Sequence, residues 1–221
     1  MAVLGVDGWR GAWVGALLQG RSVTLLALPD AAAVLAVPGV EIVGIDMPVG
    51  LSDDGRRRCD DDARRLLGRA GSSVFPAPLR PVLAATDYAD ACRISREASG
   101  RALSVQAWNL VPSIRSLDDA LGRPPDDRVV EVHPELAFRA LDPRVADPKA
   151  TARGLAQRIR ALEPVMDVLD ALSAAPARVP AVDALDACAA AWSARRLADG
   201  LGECVGDGAT DRRGRPMRIC W

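Results

Sequence analysis

The chain has 221 residues, 49% of them apolar and 26% charged, and its 28 basic and 29 acidic side chains leave a net charge of −1. That length and apolar content support a buried core in one large domain or two small ones. The near-neutral balance excludes a uniformly basic surface and gives no global electrostatic support for nucleic-acid binding.

Residues 2–6 form an apolar run that ends at the turn Gly8-Trp9-Arg10-Gly11. Two further apolar runs, 12–18 and 23–28, are separated by Gln19-Gly20-Arg21, so the first three strands are predicted to meander. Pro29-Asp30 opens a short alanine-rich helix through residue 37, and Pro38-Gly39 closes it. Residues 40–45 are a fourth strand, apolar enough for burial on both faces. From 48 to about 81 the chain turns irregular and polar, with an amphipathic helix over 53–65 and a proline-rich loop over 71–81. Helices are predicted over 87–99, stopped by Gly100, and over 104–121, broken at Pro112. A fifth strand over 129–132 runs into His133-Pro134-Glu135. Helices over 149–162, 164–172 and 182–199 follow, and a short strand over 217–221 closes the chain. No composition break marks a linker, so a single domain over 1–221 is expected, with an insertion over about 48–125.

Two of the apolar runs end in the same signature, Gly5-Val6-Asp7 and Gly44-Ile45-Asp46. Strands 1 and 4, joined through a crossover helix, would lie parallel and adjacent, about 4.8 Å apart. Asp7 and Asp46 would then share one sheet edge, where open sheets bind ligands. Neighbouring carboxylates raise each other's proton affinity unless a cation screens them. Asp183 and Asp186 are three residues apart in a late helix and project from nearly the same face. Asp186 lies inside an alanine-rich, buried stretch where an unpaired carboxylate is costly, which makes it the preferred ligand; Asp183 is either a cap or a ligand. Glu131 would neighbour Asp46 if strands 4 and 5 pair. His133, on the same strand face by alternation, is a candidate general base or leaving-group acid and otherwise a structural donor. Glu135 reads as a helix-starting acid. An all-oxygen set suits Mg²⁺ or Mn²⁺ rather than zinc, and with one histidine in the chain a His-rich site is excluded.

The motifs Gly5-Val6-Asp7-Gly8-Trp9, Gly44-Ile45-Asp46-Met47-Pro48-Val49-Gly50-Leu51, Ser73-Val74-Phe75-Pro76-Ala77-Pro78, Glu131-Val132-His133-Pro134-Glu135 and the helix from Asp183 to Ala191 occur in that order. Together they resemble, nearly end to end, an uncharacterised family of predicted RNase H-like nucleases, domain of unknown function 429. The resemblance implies an RNase H-like α/β fold, a mixed five-stranded sheet of order 3-2-1-4-5 flanked by helices. Asp183-Ala184-Leu185-Asp186-Ala187 is also similar to the acidic final helix of Holliday-junction resolvases. That likeness implies a metal-dependent nuclease with Asp7, Asp46 and Asp186 as ligands and Asp183 as a fourth. The chain departs from the family pattern at Pro112-Ser113-Ile114, where members tend to carry Pro-Lys-Ile.

Because the insertion follows directly from Asp46, it is expected to overhang the site and touch a DNA or RNA substrate. Arg80, isolated in a proline-rich loop, is the preferred phosphate contact, and Ser73 offers a hydroxyl. Arg56, Arg57 and Arg58 read instead as a solvated face, nearly neutralised by neighbouring aspartates. Trp9 either stacks on a base or packs on the core. Two other readings share the core: an actin- or sugar-kinase-like nucleotide-binding phosphotransferase, and a non-catalytic binding or regulatory module. The five cysteines are scattered and never paired as C-x-x-C, which argues against a disulfide framework and, with no signal-peptide pattern and no long apolar run, predicts a cytoplasmic protein without a membrane span. Lys149 is the one lysine among the basic residues, as codon bias toward arginine would leave it.

Overall fold

The computed structural model describes residues 1–123 and 126–221, and the expected far end of the insertion, near 125, falls outside them. In chain order the elements are β1 (Ala2–Trp9), β2 (Ala12–Gln19), β3 (Ser22–Leu28), α1 (Ala31–Leu35), β4 (Val40–Ile45), α2 (Arg58–Leu67), α3 (Tyr88–Ser99), α4 (Val105–Ala120), β5 (Val129–Glu131), α5 (Pro134–Leu141), α6 (Ala152–Leu162), α7 (Val168–Ser173), α8 (Ala181–Ala198), β6 (Cys204–Val205) and β7 (Ile219–Cys220). The described chain divides into two compact units. One comprises Met1–Met47, Arg128–Glu203 and Cys220–Trp221, the other Pro48–Asp127 and Cys204–Ile219.

The first unit is built on a mixed five-stranded sheet of order β3-β2-β1-β4-β5, flanked by helices. β1, β2 and β3 are antiparallel neighbours, whereas β4 runs parallel to β1 and β5 parallel to β4. The strand boundaries follow the apolar runs to within a residue or two, except that β1 continues through Asp7 to Trp9 because Asp7 and Gly8 pair with Val14 and Trp13 of β2. The core of this unit gathers Val3, Val14 and Ala16 from the sheet with Phe138 of α5, Leu162 of α6 and the buried centre of α8 from Ala184 to Ala191. Leu4, Val6, Val43 and Ile45 are as deeply buried, so β1 and β4 are covered on both faces.

Helix starts were set by capping chemistry. Asp30, Asp87, Ser104 and Thr151 each accept a hydrogen bond from the backbone N–H three residues on, at the heads of α1, α3, α4 and α6. Gly100 closes α3 in the left-handed region, as the sequence predicts. The cap at Thr151 starts α6 three residues later than expected and leaves Lys149 in the preceding loop.

The second unit has its own core of Leu79, Val82, Ala85, Ala91, Cys92, Leu103, Ala107 and Val111. Its helix α4 corrects one expectation, since it runs unbroken through Pro112. An interior proline costs roughly 3 kcal/mol; here Val111, Ile114 and Leu117 are buried around it and hold the helix together. The proline-rich stretch also contains 3-10 turns over Gly68–Ser73 and Arg80–Ala84 that a loop reading misses. Cys59, Cys92 and Cys188 are free thiols, whereas Cys204 and Cys220 are disulfide-bonded. Among the described residues no helix is long and apolar enough to cross a membrane.

Candidate functional site

The site is organised by the two glycines that precede its aspartates. Residues two apart in a strand face the same side, so Gly5 and Asp7 share a face of β1, and Gly44 and Asp46 share the equivalent face of the β4 edge. Helix α8 lies on that face. A Cβ added at Gly5 would come within 2.0 Å of the Ala191 nitrogen and 2.1 Å of the Ala187 oxygen, and one at Gly44 within 2.7 Å of the Ala190 oxygen. The glycines are therefore notches into which the backbone of α8 sinks. The same two-residue step that leaves the notch points each aspartate toward the first turns of the helix, which carry Asp183 and Asp186.

The register completes the arrangement. Val6 pairs with Ile45, and the Asp46 N–H donates to the Val6 carbonyl at 2.9 Å, so Asp7 and Asp46 stand side by side where the parallel pairing of β1 with β4 stops. Asp7 is 9% exposed and accepts from the Gly8 N–H at 2.9 Å. Asp186 is 1% exposed. Its Oδ2 accepts from the Lys149 ammonium at 2.5 Å, while its Oδ1 has no hydrogen-bond partner among the described residues. Asp183 is in the first turn of α8 but does not cap it, since the cap position is Pro180.

These carboxylates are held in mutual repulsion. Burial, and then the charges of Asp46, Asp186 and Asp183, push the Asp7 carboxyl well above its ordinary range, with Lys149 pulling the other way. Burial raises Asp46 to about 7 against the pull of Lys149, and Glu135 adds to the rise. Asp186 is raised to about 6 by burial, opposed by Lys149 and reinforced by Asp46 and Glu135. Burial raises Asp183 as well, again opposed by Lys149. Burial works against the charge on Lys149 itself, but Asp186, Asp46 and Asp7 outweigh it and hold the ammonium above its usual range.

Asp7 thus lies within electrostatic reach of Asp46, Asp183 and Asp186, and Asp186 within reach of Asp46. Glu131 does not join them. It pairs in register with Ile45, one position out of phase with Asp46, while Val130 and Val132 on either side of it pack with Ala190 of α8, so strand alternation turns Glu131 to the opposite face. His133 occupies the cap position of α5, where its carbonyl accepts from the Leu136 and Ala137 N–H groups. Trp9 packs, partly buried, against the main core.

The expected phosphate contacts are structural in the second unit. Arg80 is 3% exposed, donates to Asp118 at 2.9 Å and 3.1 Å and pairs with Asp211, so it is not offered to solvent. Asp118 also takes Arg213 and Arg215, and Asp211 accepts backbone N–H groups from Leu51, Arg213 and Arg215. The Ser73 hydroxyl donates to the Ala70 carbonyl at 2.8 Å within its 3-10 turn. Of the three consecutive arginines, Arg57 is buried against Asp60 rather than solvated.

Two residues of the site were missed as such. Glu135 does start a helix, as predicted, but its charge also reaches Asp46 and Asp186, and it is held by Arg158, which donates to both carboxylate oxygens at 2.7 Å and 2.9 Å. Lys149 is the other, and its being the chain's single lysine was a signal available in the sequence.

Among the described residues no three His, Cys, Asp or Glu side chains are gathered closely enough to hold a metal ion as they stand. The chain matches, over residues 5–211, the model of a family described as a protein of unknown function, DUF429. It belongs to that family. No curated protein and no solved structure matches it.

Proposed function

We propose that the chain is a divalent-cation-dependent nuclease of RNase H-like fold, hydrolysing phosphodiester bonds at the Asp7, Asp46, Asp186 cluster. The observation that carries this reading is Asp186, a carboxylate buried inside the first unit with one oxygen on Lys149 and the other without a hydrogen-bond partner among the described residues. A buried charge half-satisfied in this way is destabilising unless a cation completes it. The donor set is all carboxylate oxygen, which matches the preference of a hard ion such as Mg²⁺ or Mn²⁺. Asp7, Asp46 and Asp186 would hold the ion, with Asp183 at the more open side of the helix turn. When bound, the ion supplies an activated water and polarises the phosphoryl oxygen. The protein contributes a rigid platform: two neighbouring parallel strands and a helix seated in glycine notches fix the three carboxylates. Glu135, tied down by Arg158, adds negative potential that strengthens cation capture. His133 and Glu131 have no assigned part in this chemistry.

The test is cleavage of a labelled panel comprising single- and double-stranded DNA, RNA, an RNA–DNA hybrid and a four-way junction. Cutting is expected with Mn²⁺ or Mg²⁺, none with EDTA, and none from folded Asp7→Asn or Asp186→Asn protein. Activity that survives both substitutions assigns the chemistry to another site, and ATP binding without cleavage favours a phosphotransferase.

A further inference from the structure

One cation is already built into the cluster. Lys149 stands in the loop between α5 and α6, and its side chain is 46% exposed although its ammonium lies against a carboxylate that is 1% exposed. The stem therefore runs from solvent to a buried anion. Its charge is shared, acting on Asp46, Asp7 and Asp183 as well as on Asp186. The Lys149 charge is set against four carboxylates, and the ammonium engages one oxygen of Asp186 while Oδ1 has no hydrogen-bond partner among the described residues. An ammonium is a compact point charge on a flexible stem, unlike a planar guanidinium, and lysine appears here in a chain whose other basic residues are arginine.

From this geometry, and resting on the metal reading above, we infer that Lys149 is a tethered counterion that occupies the carboxylate cluster in place of a divalent cation and swings out to solvent when one binds. The inference accounts for why no three carboxylates close into a ligand group as they stand: Asp186 is committed to the ammonium. Ion and lysine are then mutually exclusive, and the occupied state lowers the apparent affinity of the site by the fraction of time it is open. A site open a tenth of the time loses about tenfold. The lysine would keep the cluster compact at low cation concentration and set the concentration at which the site loads.

The experiment titrates the full-length, EDTA-stripped chain with MnCl₂, read by calorimetry and by the electron paramagnetic resonance of free Mn²⁺. Wild type is compared with Lys149→Met, and Asp186→Asn serves as the site-deficient reference. Lys149→Met is expected to bind Mn²⁺ at least about tenfold more tightly than wild type. Equal affinities in the two proteins would overturn the inference while leaving the metal site standing, and weaker binding in the variant would make Lys149 a supporter of the ion and overturn it as well. No binding to either protein would remove the metal reading together with the inference. Should Lys149→Met fail to fold, wild type alone gives the answer, because the chain has one lysine to label. Acetylation of Lys149 followed by mass spectrometry is expected to run several-fold faster with MnCl₂ than with EDTA, and an unchanged or slower rate overturns the proposal.

Discussion

Asp46 and Asp186 carry the pH signature of the site. Their carboxyls ionise near 7 and near 6 in the folded chain, above the ordinary value of 3.8, chiefly because they are buried. A carboxyl raised on folding contributes stability that is fully present below its unfolded pKa and is lost as pH rises through the folded one. Lys149 stays charged across this range and so does not reverse the sign. The melting temperature of the EDTA-treated protein is therefore expected to fall between about pH 4 and about pH 8. Asp46→Asn should flatten that fall, and Mn²⁺ should restore stability at the alkaline end. Circular dichroism melts across the range check both. At the same scale, Asp7→Asn and Asp186→Asn each remove a carboxylate that would touch the ion. Altering a residue that only orients a metal ligand costs roughly 10- to 100-fold, so these are expected to lower cleavage at least about 100-fold, measured as initial rate under Mn²⁺. The aspartates could be read from the sequence because a charge ending an apolar run is conspicuous. Lys149 was not, since its partner is 37 residues away and no local pattern connects them. Glu131 was misplaced because pairing of β4 with β5 was foreseen without the phase of the strand, which turns Glu131 away from Asp46.

Among the elements, α8 decides whether the cluster exists. Its backbone approaches β1 so closely that Gly5→Ala would force the helix off the sheet, since the obstructing atoms are the main chain of Ala187 and Ala191 rather than a movable side chain. The expected cost is at least ~2–3 kcal/mol, at the upper end of overpacking effects. Gly44→Ala meets a single carbonyl at 2.7 Å and should cost less, and Gly55→Ala, with its nearest neighbour 4.0 Å away, should be close to neutral. Urea denaturation of the three variants gives the order directly. The Gly-x-Asp signature thus joins packing to placement: losing the notch should displace Asp183 and Asp186 from Asp7 even where the fold survives. Strand positions were recoverable from apolar runs and turn residues, and the starts of α1, α3 and α4 from Asp30, Asp87 and Ser104, whereas the Thr151 cap of α6 was passed over. Pro112 misled because a local breaker was outweighed by burial of Val111, Ile114 and Leu117, which no local window contains.

For the whole molecule, the five-stranded order of the first unit is the one that the crossover between β1 and β4 and the family resemblance implied, and the match to DUF429 bears out the family itself. The composition of the second unit was harder to see. It takes in Cys204–Ile219 from the far end of the chain as well as the insertion, and what ties those segments is charge: Arg80 and Arg215 are buried with Asp118 and Asp211. An isolated arginine in a loop looks like a ligand contact until its partners, 38 and 131 residues away, are known. Arg80→Ala leaves two buried carboxylates short of a partner and is expected to destabilise the second unit by about 3–5 kcal/mol. Chemical denaturation measures that loss, and a fold unaffected by the substitution would return Arg80 to the list of substrate contacts. The central claim, that the carboxylates of β1, β4 and α8 form one cation site, is tested most directly by crystals of the protein soaked in MnCl₂ and measured for anomalous scattering. The account predicts a peak bonded to Asp7, Asp46 and Asp186 with the Lys149 ammonium withdrawn from Asp186; density without a peak there, and Lys149 still on Asp186, would contradict it.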